Sequence, residues 1–125
     1  MDTNIFVTQN FRLREFACND GTAVPEHLIP HVRLVAEQLQ IVRNYYNKPI
    51  LITSAYRTPK YNRSVGGATK SMHLLALAVD TKPMWHISID EYYKTMLELT
   101  IFKGYGIGNT FLHTDLRDTY TIWYY

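Results

Sequence analysis

The chain is nearly without cysteine: Cys18 stands alone, which excludes an internal disulfide and any zinc site built from cysteines. Long apolar runs are missing too, and none approaches the roughly 20 residues needed to cross a bilayer. The start, Met1-Asp2-Thr3-Asn4-Ile5, has no basic n-region and no apolar segment after it, so the expectation is a chain made in the cytoplasm without a signal peptide. An excess of one charge is also absent. Lys plus Arg number 13 against 11 Asp plus Glu, a net +2, too slight a balance to imply nucleic acid by itself. No repeat, low-complexity tract or long linker interrupts the sequence. With 125 residues, two independent cores would each be too small, so a single domain over 1–125 is expected.

The composition that remains is globular, 46% hydrophobic and 19% charged, with 10 tyrosines among the aromatics. With thiolates excluded, a metal site would have to use carboxylates and the 5 histidines.

Phe11 to Phe16 reads as a short helical turn pinned by two aromatics, followed by a turn at Asn19-Asp20-Gly21-Thr22. Leu28, Val32, Val35, Leu39 and Val42 recur at spacings of four and three, the stripe of an amphipathic helix. Pro25 suits its first position, Pro30 suggests a kink, and the helix should end near Tyr45 to Asn47. Ile50 to Ser54 reads as a buried strand, and Tyr56 to Arg63 as a polar loop running into Gly66-Gly67. A second strand is expected over Leu77 to Thr81, stopping at Pro83. Ser88-Ile89-Asp90-Glu91 is a capping box opening a helix through Tyr92, Met96 and Leu99. Gly104 to Asn109 reads as a glycine-rich turn or strand and Phe111 to Leu116 as a strand, with Thr119 to Tyr125 as the arm of a terminal hairpin. These elements predict an α+β fold, a small antiparallel sheet flanked by helices.

Alternation is clearest in Phe111-Leu112-His113-Thr114-Asp115-Leu116-Arg117. Side chains repeat every two residues in a strand, so His113, Asp115 and Arg117 share one face while Leu112 and Leu116 point to the core. From this strand alone the plainer reading is a solvated face with an Asp–Arg pair. His73 and Asp80 alter that reading. Fully extended, the segment between them would hold them about 23 Å apart, so sharing a metal requires the chain to coil back between Ser71 and Ala76. Asp80 lies in an apolar run, where an unpaired carboxylate is costly, and a cation would resolve this. His73, Asp80 and His113 would then supply three N/O ligands and leave the fourth position of a zinc ion open. His27 and His31, at i and i+4 on the first helix, lack a Glu between them and a third ligand nearby, and read as a solvated helix face. His86 reads as a loop residue.

Ser71-Met72-His73-Leu74-Leu75-Ala76-Leu77-Ala78-Val79-Asp80 resembles the Ser-x-His-x-x-Gly-x-Ala-x-Asp motif of zinc D-alanyl-D-alanine carboxypeptidases and phage peptidoglycan endopeptidases. Ser54-Ala55-Tyr56-Arg57-Thr58-Pro59, with Tyr61-Asn62 and Val65-Gly66-Gly67-Ala68, is similar to the block these enzymes carry upstream. His113-Thr114-Asp115-Leu116-Arg117 resembles their late His-x-Asp-x-Arg strand. The resemblance runs from about Phe11 to Arg117. It implies a Zn2+ ion held by His73, Asp80 and His113, with Arg57 binding the substrate carbonyl or carboxylate and Ser71 adding a hydrogen bond. Relatives with a carboxylate three residues before the third ligand use it as general base. Thr110 stands there in this chain, so Asp115 is the nearest replacement, with orienting a ligand or pairing with Arg117 as its other roles. Ala76 replaces the family's glycine.

The activity implied is hydrolysis of amide bonds in peptidoglycan peptides, as carboxypeptidase or endopeptidase, reached through phage-type release or as part of a virion or cell-wall assembly. The alternative is a non-catalytic module, metal-stabilised and structural or wall-binding, on the same fold. A weaker rival, nucleic-acid binding, rests on the basic loop of Arg57, Lys60, Tyr61 and Arg63, and the near-neutral charge argues against it.

Overall fold

The computed structural model describes residues 2–125. Three helices and a five-stranded sheet make up the fold: α1 (Ile29–Tyr46), β1 (Ile50–Ser54), α2 (Pro59–Ser64), β2 (Ala78–Pro83), α3 (Ile89–Leu99), β3 (Gly104–Ile107), β4 (Leu112–Asp115) and β5 (Thr121–Tyr124). The α+β expectation holds. In space the strands run β1-β2-β4-β3-β5. All pairs are antiparallel except β3 and β5, which lie parallel. The segment expected as a hairpin arm therefore returns to the sheet edge in the same direction as β3. Residues 116–120 carry it there.

The stripe on α1 buries Val32, Val35, Leu39 and Val42 as its spacing dictates, and the helix ends at Asn47 in the left-handed conformation, φ 53°. Its start differs from expectation. Glu26–Leu28 is a separate 3-10 turn capped by Pro25, and α1 begins at Ile29 with Pro30 in its first turn. There the missing N–H of Pro30 has no helical partner to lose, so no kink is needed. At α3 the Ser88 hydroxyl accepts from the Glu91 N–H at 3.1 Å, the hydroxyl half of the expected capping box.

The two sheet faces have opposite chemistry. Val79, Thr81, Tyr105 and Leu112 are buried in the core, with α3 behind them: the Thr81 and Tyr92 hydroxyls are 2.8 Å apart, and Tyr46 on α1 meets Thr95 on α3 at 2.6 Å. On the other face one register row crosses the whole sheet, joining Ser54, Asp80, His113, Gly106 and Trp123. No helix among the described residues is long and apolar enough to cross a membrane.

Candidate metal centre

Asp80 and His113 are register partners on adjacent strands, so sheet pairing alone brings them together from positions far apart in the sequence. His73 arrives differently. Met72–Leu75 forms a 3-10 turn whose N-cap, Ser71, accepts the His73 N–H at 3.2 Å. The turn closes at Ala76, φ 55°, and this is the coil that joint ligation requires. The left-handed region costs an alanine about 1 kcal/mol relative to glycine. Ala76 is buried in the core, and its methyl recovers about 0.8 kcal/mol.

The donor atoms of His73, Asp80 and His113 lie within 4.8 Å of one another, the one such group of three among the described residues. Both imidazoles turn a nitrogen to the same oxygen: His73 Nε2 is 3.2 Å and His113 Nδ1 2.9 Å from Asp80 Oδ1. Their outer nitrogens have acceptors. His73 Nδ1 donates to the Ala55 carbonyl at 2.6 Å, and His113 Nε2 donates to Asp115 Oδ2 at 2.7 Å. With those protons on the outside, each neutral ring aims a lone pair inward at a carboxylate. Such a cluster is held together by extra protons or by a cation. Ligands on a tetrahedral zinc with bonds near 2.0–2.1 Å sit about 3.3 Å apart. The spacing and the N/O donor set fit a divalent metal of zinc's kind.

Burial opposes charge on Asp80, but the hydrogen bonds from His113 and His73 and their charges override it and hold the carboxyl well below its usual range. Burial likewise disfavours the charged form of His113, and the hydrogen bonds it donates to Asp115 and Asp80, with their negative charges, outweigh it, so its pKa is raised.

Asp115 has no exposed surface. Its Oδ1 accepts from Arg117 N–H (3.1 Å) and Nε (2.8 Å), and its Oδ2 from Arg117 Nη2 (2.7 Å) as well as His113. Burial opposes its ionisation, while Arg117 and His113 together keep its pKa well below normal. Because it meets His113 on the ring edge away from Asp80, Asp115 stands behind the cluster and does not line the pocket.

That pocket, about 420 Å³, opens over the cluster and is lined by His73, Asp80, His113, Arg57, Ser71 and Lys70 among others. Arg57 is oriented by three contacts, from Nε to Ser54 Oγ (3.1 Å), Nη1 to Asn62 Oδ1 (3.2 Å) and Nη2 to Asp80 Oδ2 (3.4 Å). The expected polar loop around it is in part a helix. Thr58 caps α2 by accepting from the Tyr61 N–H at 3.1 Å, with Pro59 in the first turn. Tyr61 packs on the core while Lys60 and Arg63 are exposed.

Phe111, Trp123 and Tyr125 form an aromatic wall of the pocket, which the sequence reading missed. The available signal was the alternation of Trp123 and Tyr125, matched by Gly104 and Gly106 two residues apart. Thr110 is exposed and His86 lies in an exposed bend; His27 is exposed, and His31 Nδ1 is 2.7 Å from the Leu75 carbonyl.

A buried His/Asp/His cluster able to hold a metal ion lies at the floor of an open pocket on the α+β sheet. The family model described as Peptidase M15 matches residues 4–115, and the chain belongs to that family. Membership makes a peptide the class of substrate. No curated protein matches the chain.

Proposed function

We propose that the protein is a zinc-dependent peptidase that hydrolyses amide bonds in peptidoglycan stem peptides or cross-links. The observation that carries the reading is the convergence of two inward imidazole nitrogens on one Asp80 oxygen beneath an open pocket.

His73, Asp80 and His113 would hold the ion. When bound, zinc supplies a Lewis acid for the scissile carbonyl and lowers the pKa of water toward ~7. The Arg57 guanidinium, fixed by Ser54, Asn62 and Asp80, keeps N–H groups on both terminal nitrogens for a substrate carboxylate or a developing oxyanion. Ser71 accepts the His73 N–H and so retains its own proton to donate to substrate. Of the roles open to Asp115, the closed geometry supports orientation: accepting from His113 Nε2 keeps the Nδ1 lone pair directed inward. Its oxygens are committed and buried, so carrying a proton from the pocket is the role the geometry does not support.

Metal analysis combined with digestion of purified peptidoglycan, with new termini identified by mass spectrometry, tests the proposal. Wild type should carry zinc and release peptide termini, and His113→Ala should lose both with its fold retained by circular dichroism. A zinc-loaded wild type that cuts no bond would overturn catalysis in favour of a metal-stabilised binding module.

A further inference from the structure

Four side chains on the pocket face close into a circuit around the third ligand. His113 Nε2 donates to Asp115 Oδ2 at 2.7 Å. Arg117 grips both oxygens of Asp115, through Nε at 2.8 Å and Nη2 at 2.7 Å. The Arg117 guanidinium in turn lies over the Trp123 ring, 4.8 Å from its centroid. Trp123 returns to the start, its ring 5.0 Å from that of His113 at 49°. Each member is thus held by two others.

The backbone of β3 is shaped for this circuit. His113 and Trp123 sit on β4 and β5 with β3 between them, and both pair in register with Gly106. A Cβ at Gly106 would stand 2.6 Å from Trp123 Nε1, and one at Gly104 would stand 2.0 Å from Asp115 Oδ1 and 2.4 Å from Arg117 Nε. Any side chain at either position would fill the trough in which the circuit lies. Arg117 and Trp123 both fall beyond the residues 4–115 matched by the family.

From this geometry we infer that Trp123, carried in by β5, is a positioning residue for the metal centre: it braces Arg117, and through Arg117 and Asp115 it fixes the ring of His113. The interaction between Arg117 and Trp123 is that of a cation with a π face, so an aromatic ring matters at this position beyond its bulk. Partners behind a metal ligand characteristically change metal affinity about 10–100-fold when removed. The inference rests on the metal reading above, and its test reads metal binding without any need for turnover.

The experiment is a competition titration of Zn2+ against a chromophoric chelator for wild type, Trp123→Phe, Trp123→Leu, Arg117→Ala and the Trp123→Leu/Arg117→Ala double variant. Trp123→Phe, which keeps a π face, should bind within about threefold of wild type. Trp123→Leu and Arg117→Ala should each weaken binding at least about tenfold, toward the second-sphere range. The double variant should fall short of the product of the two, since both break one circuit. Co2+ adds a direct readout, because it should quench the fluorescence of a tryptophan this close to His113 and lose most of that quenching in Trp123→Phe. Leucine binding zinc as tightly as phenylalanine, or losses that multiply, would overturn the inference. A variant whose circular dichroism shows misfolding is replaced by Trp123→Met, which has no π face and for which the same loss is expected. Wild type that binds no Zn2+ would instead overturn the metal reading itself.

Discussion

Asp115 shows what burial does to a single carboxylate. Fully enclosed, it remains ionised because Arg117 and His113 both donate to it, and the same bonds remove it from the pocket. Asp115→Asn, which offers a neutral amide in place of the anion, should weaken Zn2+ binding about 10–100-fold, measured by chelator competition. The titrating groups also predict the pH dependence of the metal-free protein. Asp80 and Asp115 have folded pKa values below their ordinary 3.8, so their contribution is complete above that pH and is lost as pH falls through the folded values. His113 is raised above 6.5, so its contribution is complete below that pH and is lost as pH rises through the folded value. Metal-free Tm should therefore decline on both flanks. Zinc needs His113 deprotonated, so affinity should rise with pH across the upper flank. Thermal melts from pH 3 to 9, with and without zinc, check this; a flat metal-free profile would contradict it.

Elements differ in how much of themselves the sequence displays. α1 was legible because its stripe recurs over many turns, and β4 because apolar and polar residues alternate without a break. α2 was not, since six residues carry almost no periodicity; its signal was local, a threonine cap followed by proline. Thr58→Ala should cost about 1 kcal/mol, seen as a lower Tm. β5 was legible as an extended segment, yet its parallel pairing with β3 depends on a return path that no local pattern encodes. The candidate metal ligands stood out by residue type. The aromatic wall did not, because Trp123 and Tyr125 read as ordinary rim aromatics until Gly106 is placed beneath them. Gly106→Ala should displace Trp123 and destabilise the protein by about 1–3 kcal/mol, the usual range for forced overpacking. Chemical denaturation and a shifted tryptophan emission maximum would report it.

For the molecule as a whole, candidate ligands on three separate segments would make metal binding part of folding. His73 comes from a turn before β2, Asp80 from β2 and His113 from β4, and only the assembled sheet unites them. Binding to the folded state alone adds about 2.7 kcal/mol of stability when free metal is a hundred times its Kd. Removing the metal with a chelator should therefore lower Tm by several degrees, and zinc should restore it in differential scanning calorimetry. The polar row Ser54, Asp80, His113, Gly106 and Trp123 has a consequence for folding fidelity as well. A strand that slips by one residue turns every side chain to the opposite face. Slippage of β4 would drive His113 and Asp115 against the apolar helices and lift Leu112 and Thr114 into water. The residues proposed to serve the reaction thus also penalise mispaired chains, so the correct alignment of the sheet is enforced by the same charges that would bind the ion.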